Sequence, residues 1–228
     1  MINNVRNTVL TILNKENRGY LTPEQFNSYA RYAQQNIFNQ YFSEYTKMVA
    51  MKNARRLSSD YGDRVRELQA SIDKFTTAVT INKSGDSYSK PNDLFKPLSL
   101  RYNGKVIDEV SISKEMYLDS ANLSGPSDLY PVFVDKNNKY FVKPSTITGS
   151  IDLVYTRIPS EPRWTYVMVA DNPVFNPSAL DYQDFELGAD DEVALTLEIC
   201  KLAGLTVREA DITQASIGLD TQNMQKDK

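Results

Sequence analysis

The chain has 228 residues, of which 41% are hydrophobic and 24% charged, as is typical of a folded globular protein. Its 26 basic and 29 acidic residues leave a net charge of −3, so composition gives no general attraction to nucleic acid or to an anionic membrane. Histidine is absent and cysteine occurs once, at Cys200, which excludes an internal disulfide, a Ser-His or Cys-His nucleophile and almost any zinc site.

We therefore expect no catalytic activity and no bound metal or cofactor. A single cysteine suits a reducing compartment. No apolar run approaches the ~20 residues of a membrane span. The first fifteen residues are polar and amphipathic and lack the apolar region of a signal peptide.

The first predicted helix covers residues 3–17 and ends near Gly19. Residues 14–25, NKENRGYLTPEQ, then resemble a calcium-binding loop with Gly19 in its sixth position. The fifth ligand position would be Arg18 and the twelfth Gln25, which leaves too little negative charge for calcium. The order Thr22-Pro23-Glu24-Gln25 instead predicts a capping box, with Thr22 as the N-cap of a second helix.

The second helix is predicted to be unusually long. Its apolar stripe continues for about seven turns, which corresponds to a rod of roughly 40 Å. Aromatic residues also lie on its other face, so we expect more than one packing partner. The stripe of the second helix consists of Phe26, Tyr29, Ala30, Ala33, Ile37, Tyr41, Tyr45 and Met48.

A third helix is predicted from Tyr61 to about Phe75.

The middle of the chain changes to the alternating pattern of β-strands. Strands are predicted at 75–81 and 150–159, and two hairpins at 98–110 and 130–144, the first with a type I′ turn at Asn103-Gly104. Residues 82–93 are predicted to be a loop, and residues 113–121 a short helix. About five short antiparallel strands are enough for a small sandwich or half-barrel.

Helical signals return towards the C-terminus. Residues 177–186 are predicted to form a turn or a short helix. Asp190, Asp191 and Glu192 begin a helix that is expected to stop at Gly204, and a second capping box at 206–209 predicts a last helix. The expected fold is α+β: a helical bundle domain (1–75 and 176–218) with an inserted antiparallel β domain (76–175), followed by a polar tail (219–228).

Four features are candidate sites. The run 181–192 has six carboxylates, which an acid-pair hydrolase could use, although we favour a helix start for its last three. A basic stretch could contact the phosphates of passing DNA, although we favour a solvated face or pairing with an acidic partner surface. Cys200 and Trp164 are predicted to be packing residues, with a contact role as the alternative for Trp164. The basic stretch consists of Lys47, Lys52, Arg55 and Arg56.

Three segments resemble a known family of virion proteins. They are TVLTILNKENRGYLTPEQFNSYARYAQQNIFNQYF (8–42), DNPVFNPSALDYQDFEL (171–187) and LEICKLAGLTVREADI (197–212). They are similar to the head-to-tail connector proteins (adaptor, ring or neck proteins) of short-tailed phages, particularly the crAss-like phages. The resemblance covers both helical ends and, more loosely, the β segment. Its motifs are structural and carry no chemistry.

The resemblance implies a structural virion protein, made in the host cytoplasm and located in the phage neck. Twelve copies would form a ring below the portal, contact the adjacent ring or tail proteins, and pass DNA without sequence specificity or contact with a membrane. Val207, Ala210 and Ile217 are too sparse to stabilise the last helix alone, which predicts docking on the portal or the adjacent ring. Two alternatives are a virion cargo or partner-binding protein without a ring, and an acid-pair hydrolase.

Overall fold

A computed structural model of the protein describes residues 1–15, 21–53, 61–120 and 125–207. The fold is α+β, and the chain divides into two compact units. The first unit comprises residues 1–71 and 159–228, and the second comprises residues 72–158. The described helices are α1 (Ile2–Lys15), α2 (Pro23–Asn53), α3 (Tyr61–Asp73), α4 (Ile112–Ser120) and α5 (Glu192–Val207).

The long second helix is confirmed, and only its first half is buried. α2 has 31 residues and is about 46 Å long. Its stripe is buried from Phe26 to Phe38, but no side chain between Asn39 and Met51 is fully buried. Tyr41, Tyr45 and Met48 at the far end of the stripe are partly exposed, as is Tyr29 near its start. α1 and α5, with 14 and 16 residues, are about half as long as α2 and cannot cover its full length.

The capping box at the start of α2 is confirmed. The backbone N–H of Gln25 donates to Thr22 Oγ1 at 3.2 Å, and the backbone N–H of Thr22 donates to Gln25 Oε1 at 3.0 Å. Pro23 occupies the first helical position, where its missing N–H costs no hydrogen bond. The start of α2 is thus determined by four consecutive residues. Part of the segment that resembles a calcium loop, residues 16–20, lies outside the described residues.

Replacing Thr22 with alanine should lower the free energy of unfolding by about 1 kcal/mol, because one helix N–H loses its acceptor. The urea midpoint measures this change. Thr8→Ala is the matched control: Thr8 is exposed inside α1 and its hydroxyl donates only to the carbonyl of Asn4. That variant should leave the midpoint almost unchanged. Equal effects of the two substitutions would contradict a special role for the Thr22 cap.

The predicted second capping box at Thr206 was wrong. α5 is one continuous helix from Glu192 to Val207 and passes through Gly204 without a break. Gly204 is buried within the helix, where glycine costs about 1 kcal/mol relative to alanine. Residues beyond Val207 lie outside the described part of the chain.

The second unit is built on an eight-stranded sheet that curls into a half-barrel. Its strands are β1 (Thr76–Ile81), β2 (Lys83–Ser84), β3 (Ser87–Ser89), β4 (Leu94–Tyr102), β5 (Lys105–Glu109), β6 (Val132–Lys136), β7 (Lys139–Lys143) and β8 (Ile151–Arg157). Their order in the sheet is β1-β8-β4-β5-β6-β7-β3-β2. In the first unit, β9 (Tyr166–Val169) and β10 (Asn172–Phe175) form a separate two-stranded sheet.

The half-barrel, both hairpins and the helix α4 confirm the sequence predictions, with two corrections. Residues 82–93, predicted to be a loop, contain β2 and β3, because Tyr88 is completely buried where β3 pairs with β7. The sheet is also not entirely antiparallel, since β5 and β6 are parallel. Such a pair needs a crossover connection, and α4 lies in that connection.

Two-residue turns of the same kind close the hairpins. Asn103 and Gly104 have φ angles of 47° and 79°, as a type I′ turn requires, and Asn137 and Asn138 have 53° and 59°. A third turn of this kind, which was not predicted from the sequence, joins β9 to β10 in the first unit.

None of the helices in the described ranges has both the length and the apolarity that crossing a membrane requires.

Candidate functional site

Trp164 ties three separate parts of the first unit together. Its indole N–H donates to Asn3 Oδ1 of α1 at 3.0 Å. Its backbone N–H donates to Asn27 Oδ1 of α2 at 2.8 Å, and its carbonyl accepts from Asn27 Nδ2 at 3.1 Å. The guanidinium of Arg6 lies 3.8 Å from the centre of its ring. Trp164 is buried and is thus confirmed as a packing anchor.

A two-stranded hairpin begins directly at this anchor. We call the hairpin of β9 and β10, Tyr166–Phe175, the arm. Tyr166 and Phe175 are registered partners at its base, and both stack on Trp164 with ring centres 5.6 and 5.9 Å away. Phe175 also makes an edge contact with Tyr182, and the hydroxyl of Tyr166 donates to Glu24 at 2.8 Å. The base of the arm is therefore held rigidly.

The outer part of the arm exposes apolar side chains. Val167 and Val174 are registered partners, 47% and 46% exposed, and Val169, two residues along β9, is 55% exposed on the same face. Met168 on the opposite face is 59% exposed. Exposed apolar residues that lie side by side, rather than singly, can mark a binding surface. The arm is therefore the principal candidate site of the first unit.

The arm was not predicted because its sequence signals are weak. Ala170 and Asp171 form the turn with φ angles of 47° and 62°, although neither Asn-Gly nor Asp-Gly marks it. Pro173 lies inside β10, where a proline argues against a strand. The short apolar run YVMV, followed by NPVF after two residues, was the available signal.

Asp184 binds the N-terminus of the chain. Its Oδ2 accepts from the ammonium group of Met1 at 3.0 Å, and its Oδ1 accepts the backbone N–H groups of Ile2 and Phe185 at 2.7 and 2.8 Å. Burial by itself raises the pKa of Asp184, but the hydrogen bonds from the ammonium and the two N–H groups outweigh it, so the pKa lies below its ordinary value of 3.8. This contact fixes the start of α1 against residues 184–185.

Asp184→Asn should lower the free energy of unfolding at neutral pH by about 1 kcal/mol. Hydrogen bonds to a charged group usually contribute more than this, but the side chain is 37% exposed, so solvent screens its charge. Because folding lowers the pKa of Asp184, its contribution to stability is complete above the pKa of the unfolded state. That contribution is lost as the pH falls through the pKa of the folded state. Urea unfolding of both proteins should give curves that converge below pH 3.8. A constant difference across this range would contradict the assignment.

Three of the other carboxylates in the run 181–192 also have structural partners. Asp181 pairs with Arg163 at 3.1 Å, and Glu186 accepts the backbone N–H of Ser160 at 3.0 Å. Asp191 accepts the backbone N–H of Gly188 at 3.1 Å and the hydroxyl of Tyr41. Burial, and then the hydrogen bond to Asp191, raises the pKa of Tyr41.

The interpretation of this run as a helix start is confirmed. Ala189–Asp191 form a 3₁₀ turn, and α5 begins at Glu192. The positive end of the helix dipole favours these carboxylates. In residues 1–15, 21–53, 61–120 and 125–207, no three histidine, cysteine, aspartate or glutamate side chains are grouped so that they could hold a metal ion. Cys200 is 3% exposed, and burial raises the pKa of its thiol to about 11. It is confirmed as a packing residue.

The remaining predicted contact residues lie mostly beyond the described part of the chain. Lys47 is exposed on α2. Lys52 belongs to α2 and Val207 to α5, but their side chains lie outside the described structure, as do all of Arg55, Arg56, Ala210 and Ile217. Their assignment to DNA, partner or portal contacts stays a prediction.

Comparison of the chain with protein-family models and with curated proteins finds no match. Any functional conclusion therefore depends on two kinds of observation. One is the sequence pattern of the three quoted segments, whose likeness to phage connector proteins is an expectation from the sequence. The other is the chemistry of the exposed surfaces, above all the arm.

Proposed function

We propose that this chain is a structural virion protein that forms a ring in the neck of a short-tailed phage, joins the portal to the tail and continues the DNA channel. In this proposal a helical bundle domain carries an inserted β domain, and the protein has no catalytic role. The resemblance of residues 8–42, 171–187 and 197–212 to connector proteins supports it. The observation that carries it is the exposed apolar arm on a rigid base.

A ring subunit needs rigid surfaces that are incomplete in the single chain. The arm has this character, because Trp164 and the two stacked aromatic rings fix its base while its valines remain exposed. The partly exposed half of α2 adds a second such surface. The carboxylates of 181–192, which a hydrolase would need, instead hold the N-terminus, loops and a helix start.

We expect the isolated protein to be a monomer or a weak oligomer that forms its ring on the portal, because a protein that closed rings freely would assemble away from its capsid. The residues after α5, which include Ala210 and Ile217, are proposed to dock on the portal or the adjacent ring. Because α5 extends through Val207, the truncation that tests this docking should remove residues 208–228 and leave the helix intact.

The decisive experiment mixes the purified chain with the portal protein of the same phage and images the product by negative-stain microscopy. We expect an additional ring on the portal, with twelve copies of this chain. The truncated chain should retain its melting temperature and no longer co-purify with the portal. Binding of scattered single copies without a ring would support the partner-binding alternative, and no binding to the portal would overturn the proposed function.

A further inference from the structure

We propose that the arm pairs with the arm of a second copy of this chain, strand β9 against strand β9 in antiparallel orientation, so that the two copies share one four-stranded sheet. The inference goes beyond the proposed function, because it concerns the isolated chain before any ring forms. It depends on the direction of the backbone groups of β9, on a proline that blocks β10, and on the absence of charge along β9.

The hydrogen bonds around the arm show which backbone groups of β9 face outward. The backbone N–H of Asn176 donates to the carbonyl of Thr165 at 2.9 Å, so the odd-numbered residues of this segment face β10. The N–H and carbonyl of Trp164 point the other way and bond the side chain of Asn27. Because successive residues of a strand alternate in direction, the N–H and carbonyl of Met168 also point away from β10. Among the described strands, β9 pairs with β10 alone, so Met168 presents one donor and one acceptor at an open edge.

Pro173 blocks the opposite edge of the arm. It is the registered partner of Met168, so its backbone nitrogen also points outward, but a proline has no N–H to donate. Proline and charged side chains are the usual protection of an edge strand against pairing with another chain. Residues 166–169 of β9 contain neither. The arm therefore accepts a further strand at β9 and not at β10.

A second β9 meets the requirements of this edge. The hydrogen-bonding groups require an extended strand with its own outward N–H and carbonyl, which β9 has at Met168. With the two Met168 residues opposite each other, each N–H donates to the carbonyl of the other copy. Val167 then lies opposite Val169 of the second copy, and cross-strand pairs of β-branched side chains stabilise a sheet. The pairing also converts a two-stranded ribbon, which is marginally stable by itself, into a sheet of four strands.

Charge favours the antiparallel orientation. Asp171 is the one charged residue in the sequence of the arm, and it is exposed at the tip. In an antiparallel pair it lies opposite Thr165 of the second copy, and the two Asp171 residues are roughly 20 Å apart along the strands. That distance is more than twice the screening length of about 8 Å at physiological salt. A parallel pair would instead place both tips side by side.

The contact is small, which determines its strength. Its overlap is short, because Asn27 of α2 already occupies the edge at Trp164. It buries far less than the ~800 Å² per partner of a standard interface. We therefore expect a weak dimer that forms as the concentration rises, in agreement with the expectation that the isolated chain is a monomer or a weak oligomer.

Replacing Met168 with proline tests the open edge. Met168→Pro removes the outward N–H and leaves the hydrogen bonds between β9 and β10 in place, because these use the odd-numbered residues of β9. Sedimentation equilibrium of the unmodified chain should show a monomer that converts to a dimer with increasing concentration. In Met168→Pro the dissociation constant should rise at least about tenfold, since both hydrogen bonds between the copies are lost.

Met168→Ala is the matched control, because it keeps the N–H and should dimerise nearly as well as the unmodified chain. Circular dichroism and Trp164 fluorescence check that both variants fold. An unmodified chain that stays monomeric at every accessible concentration would overturn the pairing in favour of a strand from a different protein. Equal dimerisation of the proline and alanine variants would overturn it in favour of another surface.

Cysteine cross-linking tests the register without the proline variant. Cys200 is the single cysteine of the sequence and is buried, so a disulfide between copies reports introduced residues only. A mixture of Val167→Cys and Val169→Cys chains should give disulfide-linked dimers after mild oxidation, because the two positions lie directly opposite each other.

Val174→Cys is the matched control for Val167→Cys. The two valines are registered partners with 46% and 47% exposure, but Val174 lies on β10, one strand further from the second copy. Mixed with Val169→Cys chains, Val174→Cys should stay monomeric, because two strand spacings of roughly 10 Å exceed the reach of a disulfide. Equal cross-linking of the Val167 and Val174 variants would overturn the arrangement.

The portal protein is absent from all of these experiments. Their failure would overturn the pairing of the arms and leave the proposed ring as it stands. Failure of the portal experiment would overturn the proposed ring and leave the pairing of the arms as it stands.

Discussion

Replacing Trp164 with alanine is expected to lower the free energy of unfolding by about 3–5 kcal/mol, the largest effect we expect from a single substitution in the first unit. The substitution leaves a cavity between α1, α2 and the arm. It removes the stacking partner of Tyr166 and Phe175, the cation–π contact of Arg6 and the hydrogen bond to Asn3. Urea unfolding followed by far-UV circular dichroism measures the loss.

Trp164→Phe separates ring packing from hydrogen bonding. Phenylalanine keeps an aromatic surface for the two stacked rings but has no indole N–H for Asn3. The free energy of unfolding of Trp164→Phe should therefore lie clearly between those of the unmodified protein and the alanine variant. Because Trp164 holds the base of the arm, the alanine variant should also lose ring formation on the portal. An alanine variant within about 1 kcal/mol of the unmodified protein would show that Trp164 is not the anchor.

Leu153→Ala should produce the largest loss in the second unit, about 2–5 kcal/mol. β8 lies between β1 and β4 in the sheet, and Leu153 is completely buried on its inner face. Deleting three carbon atoms there leaves a cavity in the core of the half-barrel. That core consists of Ile81, Tyr88, Leu100, Ile107, Phe133, Tyr140, Val142, Ile147, Ile151, Leu153 and Tyr155.

Val79→Ala is the control for Leu153→Ala. Val79 is the registered partner of Leu153 on the neighbouring strand, but it lies on the edge strand β1 and is partly exposed. Its truncation removes less buried surface and should cost less than about 1 kcal/mol. Thermal unfolding followed by circular dichroism compares the two variants. Equal losses would show that the core is not centred on β8.

In the proposed function, the arm is the surface that joins one copy of the chain to its partner. Its base belongs to the hydrogen-bonded and stacked anchor at Trp164, so little conformational freedom remains to be lost on binding. Its outer valines remain exposed, so binding still removes apolar surface from water. Both properties favour an assembly surface over a flexible loop.

Features that depend on neighbouring residues in the chain were predictable from the sequence alone. The capping box at Thr22, the type I′ turn at Asn103-Gly104 and the helix start at Asp190–Glu192 each need only a few consecutive residues. The packing role of Cys200 followed from its place on an apolar helix face. The absence of histidine limits the possible chemistry whatever the fold, because no arrangement of the chain can supply an imidazole.

Only the tertiary structure decided the features that depend on distant residues. Tyr88 forms a strand because β7, about fifty residues later, supplies its partner. Gly204 is buried inside α5 and stays helical despite the low helix propensity of glycine. The arm is held by Asn3 and Asn27, more than a hundred residues before it. Local propensity is worth only tenths of a kcal/mol per residue, so long-range packing decides wherever the two disagree.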